Sequence, residues 1–107
     1  MSFFETQLEI KDQSKVMTRR MGWRFLKTGD RLEAVRRYRG IRKKDRKKLA
    51  TIEVLNIWRE PLNKIRQANV IHEGFPEWTP REFIKFFCKL NKCRPADRVT
   101  VIRFRYV

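Results

Sequence analysis

The segment RVTVIRFRYV, residues 98–107, alternates in a way that suits a strand. Val99, Val101, Arg103 and Arg105 fall on one side, and Thr100, Ile102, Phe104 and Tyr106 on the other. Successive strand side chains point to opposite faces, so this pattern predicts a strand with one apolar face. A strand needs neighbours and a covering layer to be stable, so the rest of the chain must supply both. LATIEVLNIW, residues 49–58, is the best partner, rich in β-branched and aliphatic side chains and closed by Pro61. VMTRRMGWRF (16–25) and RLEAVRRY (31–38) read as further extended pieces, joined by a turn at KTGD (27–30).

Helices supply the cover. In TPREFIKFFCKLNK (79–92), Thr79 is placed to cap, Pro80 takes the first helical position and Glu82 completes a capping box. Phe83, Phe87 and Leu90 recur at helical spacing, with Ile84 and Phe86 widening the stripe. Thr6 and Glu9 stand at the same box spacing and predict a short helix from Gln7, ending by Ser14. Residues 63–73 predict another helix, and EGFPEW (73–78) a break. With no repeat or linker in 107 residues, these elements are expected to share one core. The expected class is α+β, a small barrel with helices beside it, as one domain spanning 1–107.

Charge decides the class of partner. There are 27 Lys and Arg against 12 Asp and Glu, a net +15, which makes a strong field for polyanions. Nucleic acid, RNA or DNA, is the first expectation and an acidic protein the next. No run approaches the roughly 18–20 apolar residues of a membrane span, so no membrane is expected. Cys88 and Cys93 form a C-x4-C spacing without a second pair, which predicts reduced thiols in a cytoplasmic protein and no zinc site. Four dispersed glycines exclude a phosphate-cradling loop, and no cofactor or metal is expected. His72 is the single histidine, which excludes a two-histidine nuclease mechanism within one chain.

The densest charge lies in a predicted loop. Arg36, Arg37, Arg39, Arg42, Lys43, Lys44, Arg46, Lys47 and Lys48 are opposed only by Asp45. Like charges at that density gain little from folding, whereas each phosphate they neutralise releases counterion. Tyr38 sits among them, and Trp23 lies between Arg20 and Arg24. Rings interleaved with cations suit base stacking, at about 1–3 kcal/mol per base.

Lys15-x-x-Thr18-x-Arg20, GWRFLKTGD, TIEVLNIWREPLNKI, HEGFPEWTPREFIKFFCKLNKC and the final alternating strand occur in that order. Together they resemble the ASCH domain family, closest to its small, often phage-borne, stand-alone members. The resemblance implies a PUA-like β-barrel with flanking helices and a cleft. It also implies RNA binding, with ribonuclease or N4-acetylcytidine amidohydrolase activity as alternatives. In the amidohydrolase members a Lys-x-x-Thr segment supplies a lysine and a nucleophilic threonine, assisted by a glutamate. Lys15 and Thr18 match that spacing, and Glu73 is the nearest glutamate; Val16 stands where many relatives have threonine. A threonine hydroxyl needs a base, and a lysine serves only if its pKa is lowered, here by burial or by Arg19 and Arg20. The expected cleft is therefore lined by Lys15, Thr18, Arg19, Arg20, Trp23 and Glu73. The expected location is the cytoplasm, that of a host if the chain is phage-encoded, with an acidic host protein as the alternative partner.

Overall fold

In the computed structural model, which describes residues 1–36, 42 and 47–107, the alternating segment forms a strand over Arg98–Tyr106. A 3-10 turn (Phe4–Thr6) and helix α1 (Gln7–Lys11) precede strands β1 (Met17–Arg20), β2 (Arg31–Val35) and β3 (Lys48–Pro61). A second 3-10 turn (Leu62–Lys64), α2 (Gln67–His72) and α3 (Pro80–Asn91) lead into β4, the Arg98–Tyr106 strand. The strands make one antiparallel sheet in the order β1-β4-β3-β2, curled into a half-barrel with short helices beside it. The α+β, PUA-like architecture expected of the sequence is the one observed.

That order corrects the expectation of a single apolar face on the last strand. β4 is an inner strand, and Val99, Thr100, Val101 and Ile102 are all buried. Val99 and Val101 join a core with Met17, Leu62, Val70, Phe83 and Phe87. Ile102 and Phe104 join a second core with Phe3, Ile10, Ile52 and Val54 on the other side. A strand covered on both faces needs continuous apolar character, and only Arg98 at its start and Arg103 and Arg105 towards its end stay exposed.

Three further expectations are corrected. The extended piece 16–25 is a strand only over Met17–Arg20, because the chain turns at Gly22 (φ +78°) and Trp23 (φ +54°). The helix expected over 63–73 divides into the Leu62–Lys64 turn and α2. The box at Thr6 and Glu9 does not form: Thr6 makes no capping hydrogen bond and is buried at the end of the first turn. The box on α3 forms in full, with Thr79 Oγ1 accepting from Glu82 N–H at 3.2 Å and Glu82 Oε1 accepting from Thr79 N–H at 3.0 Å.

Two devices shape the barrel. The β3–β4 register slips between Val54 and Asn56, leaving Leu55 exposed, and such a bulge bends a long strand. Residues 1–3 then tie the two sheet edges together. Val35 N–H donates to the Met1 carbonyl and Phe3 N–H to the Val35 carbonyl, both at 2.9 Å. Across from them, Arg20 at the end of β1 donates to the Ser2 carbonyl at 2.5 Å. Among the described residues no helix is long and apolar enough to cross a membrane.

Candidate functional site

Lys15 lies in the short connector from α1 to β1, and three neighbours fix it. Its N–H donates to the Glu9 carbonyl at 3.1 Å, and its carbonyl accepts from the Tyr106 hydroxyl at 2.5 Å. The next residue, Val16, donates to the His72 carbonyl at 2.9 Å and so brings the end of α2 alongside. Glu73 follows directly, as the residue that closes α2. There Gly74 N–H bonds the Ile71 carbonyl (3.0 Å) and Phe75 N–H the Val70 carbonyl (3.1 Å), a Schellman closure. Gly74 sits at φ +101°, and a Cβ there would lie 3.2 Å from the Glu9 Cβ. The missing side chain lets the end of α2 press against α1, which sets Glu73 beside Lys15.

The result is a buried charge cluster. Lys15 Nζ donates to the Glu73 carbonyl at 2.5 Å and lies 3.5 Å from Glu73 Oε1. Arg19 Nη1 lies 3.1 Å from Glu73 Oε2, and Arg19 Nη2 lies 3.2 Å from Glu60 Oε2. Lys15, Arg19 and Glu73 are each no more than 4% exposed. Each charge thus has a partner, as burial requires, although Arg19 Nε has none among the described residues. Thr18, also buried, accepts a hydrogen bond from Arg20 Nε at 3.1 Å.

These side chains open onto a cavity of about 90 Å³ that reaches solvent. Its polar wall includes Lys15, Thr18, Arg19, Arg20 and Glu73, with Ser2, Glu5, Thr6 and Asn91 beside them. Its apolar wall is Phe3, Phe75 and the α3 residues Phe83, Phe86 and Phe87. The Lys15 ammonium lies 5.7 Å from the Phe3 ring centre and 5.9 Å from that of Phe75, and Arg20 lies 4.7 Å from Phe3, within cation–π range. Behind this wall Phe75 stacks on Trp78 at 4.2 Å, which holds the Phe75 ring in place.

The surroundings tune the cations. Burial pushes the Lys15 ammonium down from 10.5 to about 8; Glu73 opposes the shift and Arg20 adds to it. The main cause is therefore burial, with Arg20 the arginine that contributes. Burial also lowers Arg20 to about 10, against the pull of Glu73 and Glu5, so it remains charged at neutral pH.

Five of the six residues expected to line a cleft do line one: Lys15, Thr18, Arg19, Arg20 and Glu73. Trp23 does not. Its ring packs against the core containing Phe3 and lies 5.5 Å from the Phe25 ring, because the turn at Gly22 carries it away from the strand. Arg36, Arg42, Lys47 and Lys48 are exposed and do not line the cavity. Arg36 N–H meets the Lys47 carbonyl at 2.9 Å, and Lys48 lies 3.9 Å from Glu33 in a solvated pair. Arg37, Tyr38, Arg39, Lys43, Lys44 and Arg46 lie outside the described residues. The phenylalanine wall and Glu60 were not expected as site residues. Phe83, Phe86 and Phe87 read as core in sequence, and the only local signal for Phe75 is its place two residues after Glu73. Among the described residues no cluster of His, Cys, Asp or Glu is arranged to hold a metal ion.

No protein-family model matches this chain, and no curated protein does. Solved structures do. An Enterococcus faecalis protein described under the DUF984 family model superposes with a TM-score of 0.67 at 16% identity, covering 96% of this chain and 67% of that one. An ASCH domain from Lactobacillus crispatus superposes with a TM-score of 0.65 at 13% identity, covering 95% of this chain and 70% of that one. At such identities the likeness is one of architecture, and the architecture it establishes for this chain is the ASCH-type fold.

Proposed function

We propose that this chain binds RNA and seats part of a nucleobase in the Lys15–Glu73 cavity. The observation that carries the reading is the pairing of two unlike walls. Phenylalanine rings suit the face of a planar ring, while Lys15, Arg20, Thr18 and Glu73 offer donors and acceptors to its polar edge. The net charge of +15 supplies the long-range attraction to a phosphate chain. The ASCH-type fold of a solved neighbour agrees with this reading. The test is equilibrium binding to single-stranded RNA, single-stranded DNA and heparin over a salt series. RNA is expected to bind tightest, and Phe75→Ala to weaken RNA at least about fivefold while leaving heparin within about twofold, given about 1–3 kcal/mol per stacked base. A chain that ignores polynucleotides at low salt, or holds all three equally with and without Phe75, overturns the reading.

A second reading is a hydrolase acting on RNA or on an acylated nucleoside such as N4-acetylcytidine. It is favoured by a lysine pushed down to about 8 in the same cavity as Thr18 and Glu73. In an amidohydrolase, neutral Lys15 takes the Thr18 hydroxyl proton as Thr18 Oγ1 attacks the acyl carbon. The C–N bond then breaks, the leaving amine takes a proton, and water releases the acyl group from the threonine. In this structure the ammonium is engaged by Glu73 and the Thr18 oxygen by Arg20, so binding stands first. Mass spectrometry of products after incubation with RNA and with N4-acetylcytidine separates the readings. Loss of turnover in Thr18→Ala with RNA affinity retained is the outcome expected of the enzyme.

A further inference from the structure

A second concavity adjoins the cavity at Arg19, which lines both. It is a cleft of about 450 Å³ between the end of β3, the following 3-10 turn and the start of α2. The cationic residues that line it are Arg59, Lys64, Arg66 and Arg98, together with Arg19. None of the first four forms an ion pair among the described residues. Two of them are held in place. Arg59 Nη1 donates to Thr100 Oγ1 at 2.9 Å, and Arg98 Nη2 donates to the Arg59 carbonyl at 3.2 Å. The single acid in the cleft, Glu60, is already engaged by Arg19 at 3.2 Å and by Trp58 Nε1 at 2.6 Å. The cleft therefore gathers positive charge that no free acid compensates, with Lys64 and Arg66 beside it and Arg59 and Arg98, whose side chains share the Thr100 face of the sheet, flanking it at the strand ends. Guanidinium forks match phosphate oxygens in geometry, and Lys64 adds a mobile point charge.

We infer that this cleft is a phosphodiester subsite, taking about two consecutive phosphates of a single-stranded RNA whose base enters the adjoining cavity. The inference rests on the RNA reading above and adds where the backbone runs. Arg19 makes the junction, for it lines both spaces, with Nη1 turned to Glu73 and Nη2 to Glu60. A strand crossing that guanidinium has its ring on the phenylalanine side and its phosphates among Arg59, Lys64, Arg66 and Arg98. Trp58, partly buried in the cleft wall with its N–H satisfied by Glu60, lends apolar surface beside the sugar chain. The sequence carries little sign of this, since Arg59, Lys64, Arg66 and Arg98 are scattered and far less dense than the 36–48 run.

The test is binding of a labelled short oligouridylate between about 50 and 200 mM salt, where phosphate neutralisation dominates the salt response. The intact chain is compared with Arg59→Gln/Arg98→Gln and Lys64→Gln/Arg66→Gln. Arg81→Gln/Lys85→Gln on the exposed face of α3 is the control. Each cleft pair is expected to weaken binding about tenfold at the lower salt. Each should also flatten the slope of log affinity against log salt by about 0.7, the amount for one of the two phosphates no longer neutralised. The control pair should change the slope by less than half as much. Lys64 and Arg66 are exposed, so that pair reports on the cleft even if removing Arg59 from Thr100 disturbs the sheet. If the intact chain binds and both cleft pairs behave like the control, the cleft assignment is overturned and the RNA reading stands. If the intact chain ignores the oligouridylate, both are overturned.

Discussion

Lys15 Nζ and Glu73 Oε1 lie 3.5 Å apart, with side chains 4% and 3% exposed, although 58 residues separate them in sequence. The carboxylate is shared, because Arg19 holds its other oxygen at 3.1 Å. Glu73 is thus the counter-charge for a buried lysine and, with Glu60, for a buried arginine. Removing one partner of a buried pair strands the other in a low-dielectric site.

Glu73→Gln is therefore expected to be the most damaging single change in the cluster, destabilising by about 3–5 kcal/mol. Lys15→Met should cost less, since Arg19 continues to neutralise Glu73. Urea unfolding of the two variants checks the order, and a milder loss in Glu73→Gln than in Lys15→Met would contradict it.

The Lys15 shift sets a pH dependence whose sign is unusual for a paired lysine. Its pKa is lowered on folding, from 10.5 to about 8, so between those values the unfolded chain binds the extra proton. Stability from this group therefore rises with pH across that window, by about 3 kcal/mol at 1.36 kcal/mol per unit. Tyr106 and Cys93 act oppositely: burial raises them to about 12 and about 11, so their contributions fall above pH 10 and pH 9 respectively. The difference in unfolding free energy between the intact chain and Lys15→Met isolates the lysine. That difference should shift in favour of the intact chain as pH rises from 8 to 10.

Gly74→Ala tests the close approach that seats Glu73. The substitution combines φ +101° with a Cβ 3.2 Å from Glu9, and strain of this kind costs about 1–3 kcal/mol. Gly22→Ala, at φ +78° with open space around it, carries the backbone cost alone. Gly74→Ala should lower the urea midpoint further than Gly22→Ala, and equal losses would remove the packing argument.

The two thiols give a fourth check. Cys93 Sγ lies 3.7 Å from Cys88 Sγ, and burial together with this hydrogen bond raises the Cys93 pKa from 9.0 to about 11. Thiolate is the reactive form, so alkylation of Cys93 at pH 8 should run about 100-fold slower in the folded chain than in denaturant. Peptide mass spectrometry over time reads this directly, and equal rates would contradict the shift.

How much of this was legible depends on whether the cause is local. The α3 box is a local device, and Thr79, Pro80 and Glu82 act as their spacing predicts. The same spacing at Thr6 and Glu9 fails because the chain enters α1 through a 3-10 turn that buries Thr6. The burial of both faces of β4 follows from its inner place in the sheet, which no single segment encodes. Lys15, Thr18, Arg19 and Arg20 were legible as a group because they are neighbours in the chain. Their union with Glu73 was suggested by the family resemblance, while its physical cause, the approach at Gly74, appears only in three dimensions. Trp23 misled because composition places a ring near cations but says nothing of the turn before it.

Among the described residues β1, which carries Thr18, Arg19 and Arg20, has β4 as its only sheet neighbour, through pairs reaching from Thr100 to Arg103. During synthesis on the ribosome, the polar wall of the cavity therefore has nothing to zip onto until those late residues emerge. Such distant pairing closes slowly. Stalled nascent chains ending before Val99 should leave the Met17–Arg20 segment open to protease, and protection at that length would show that β1 is held by something else.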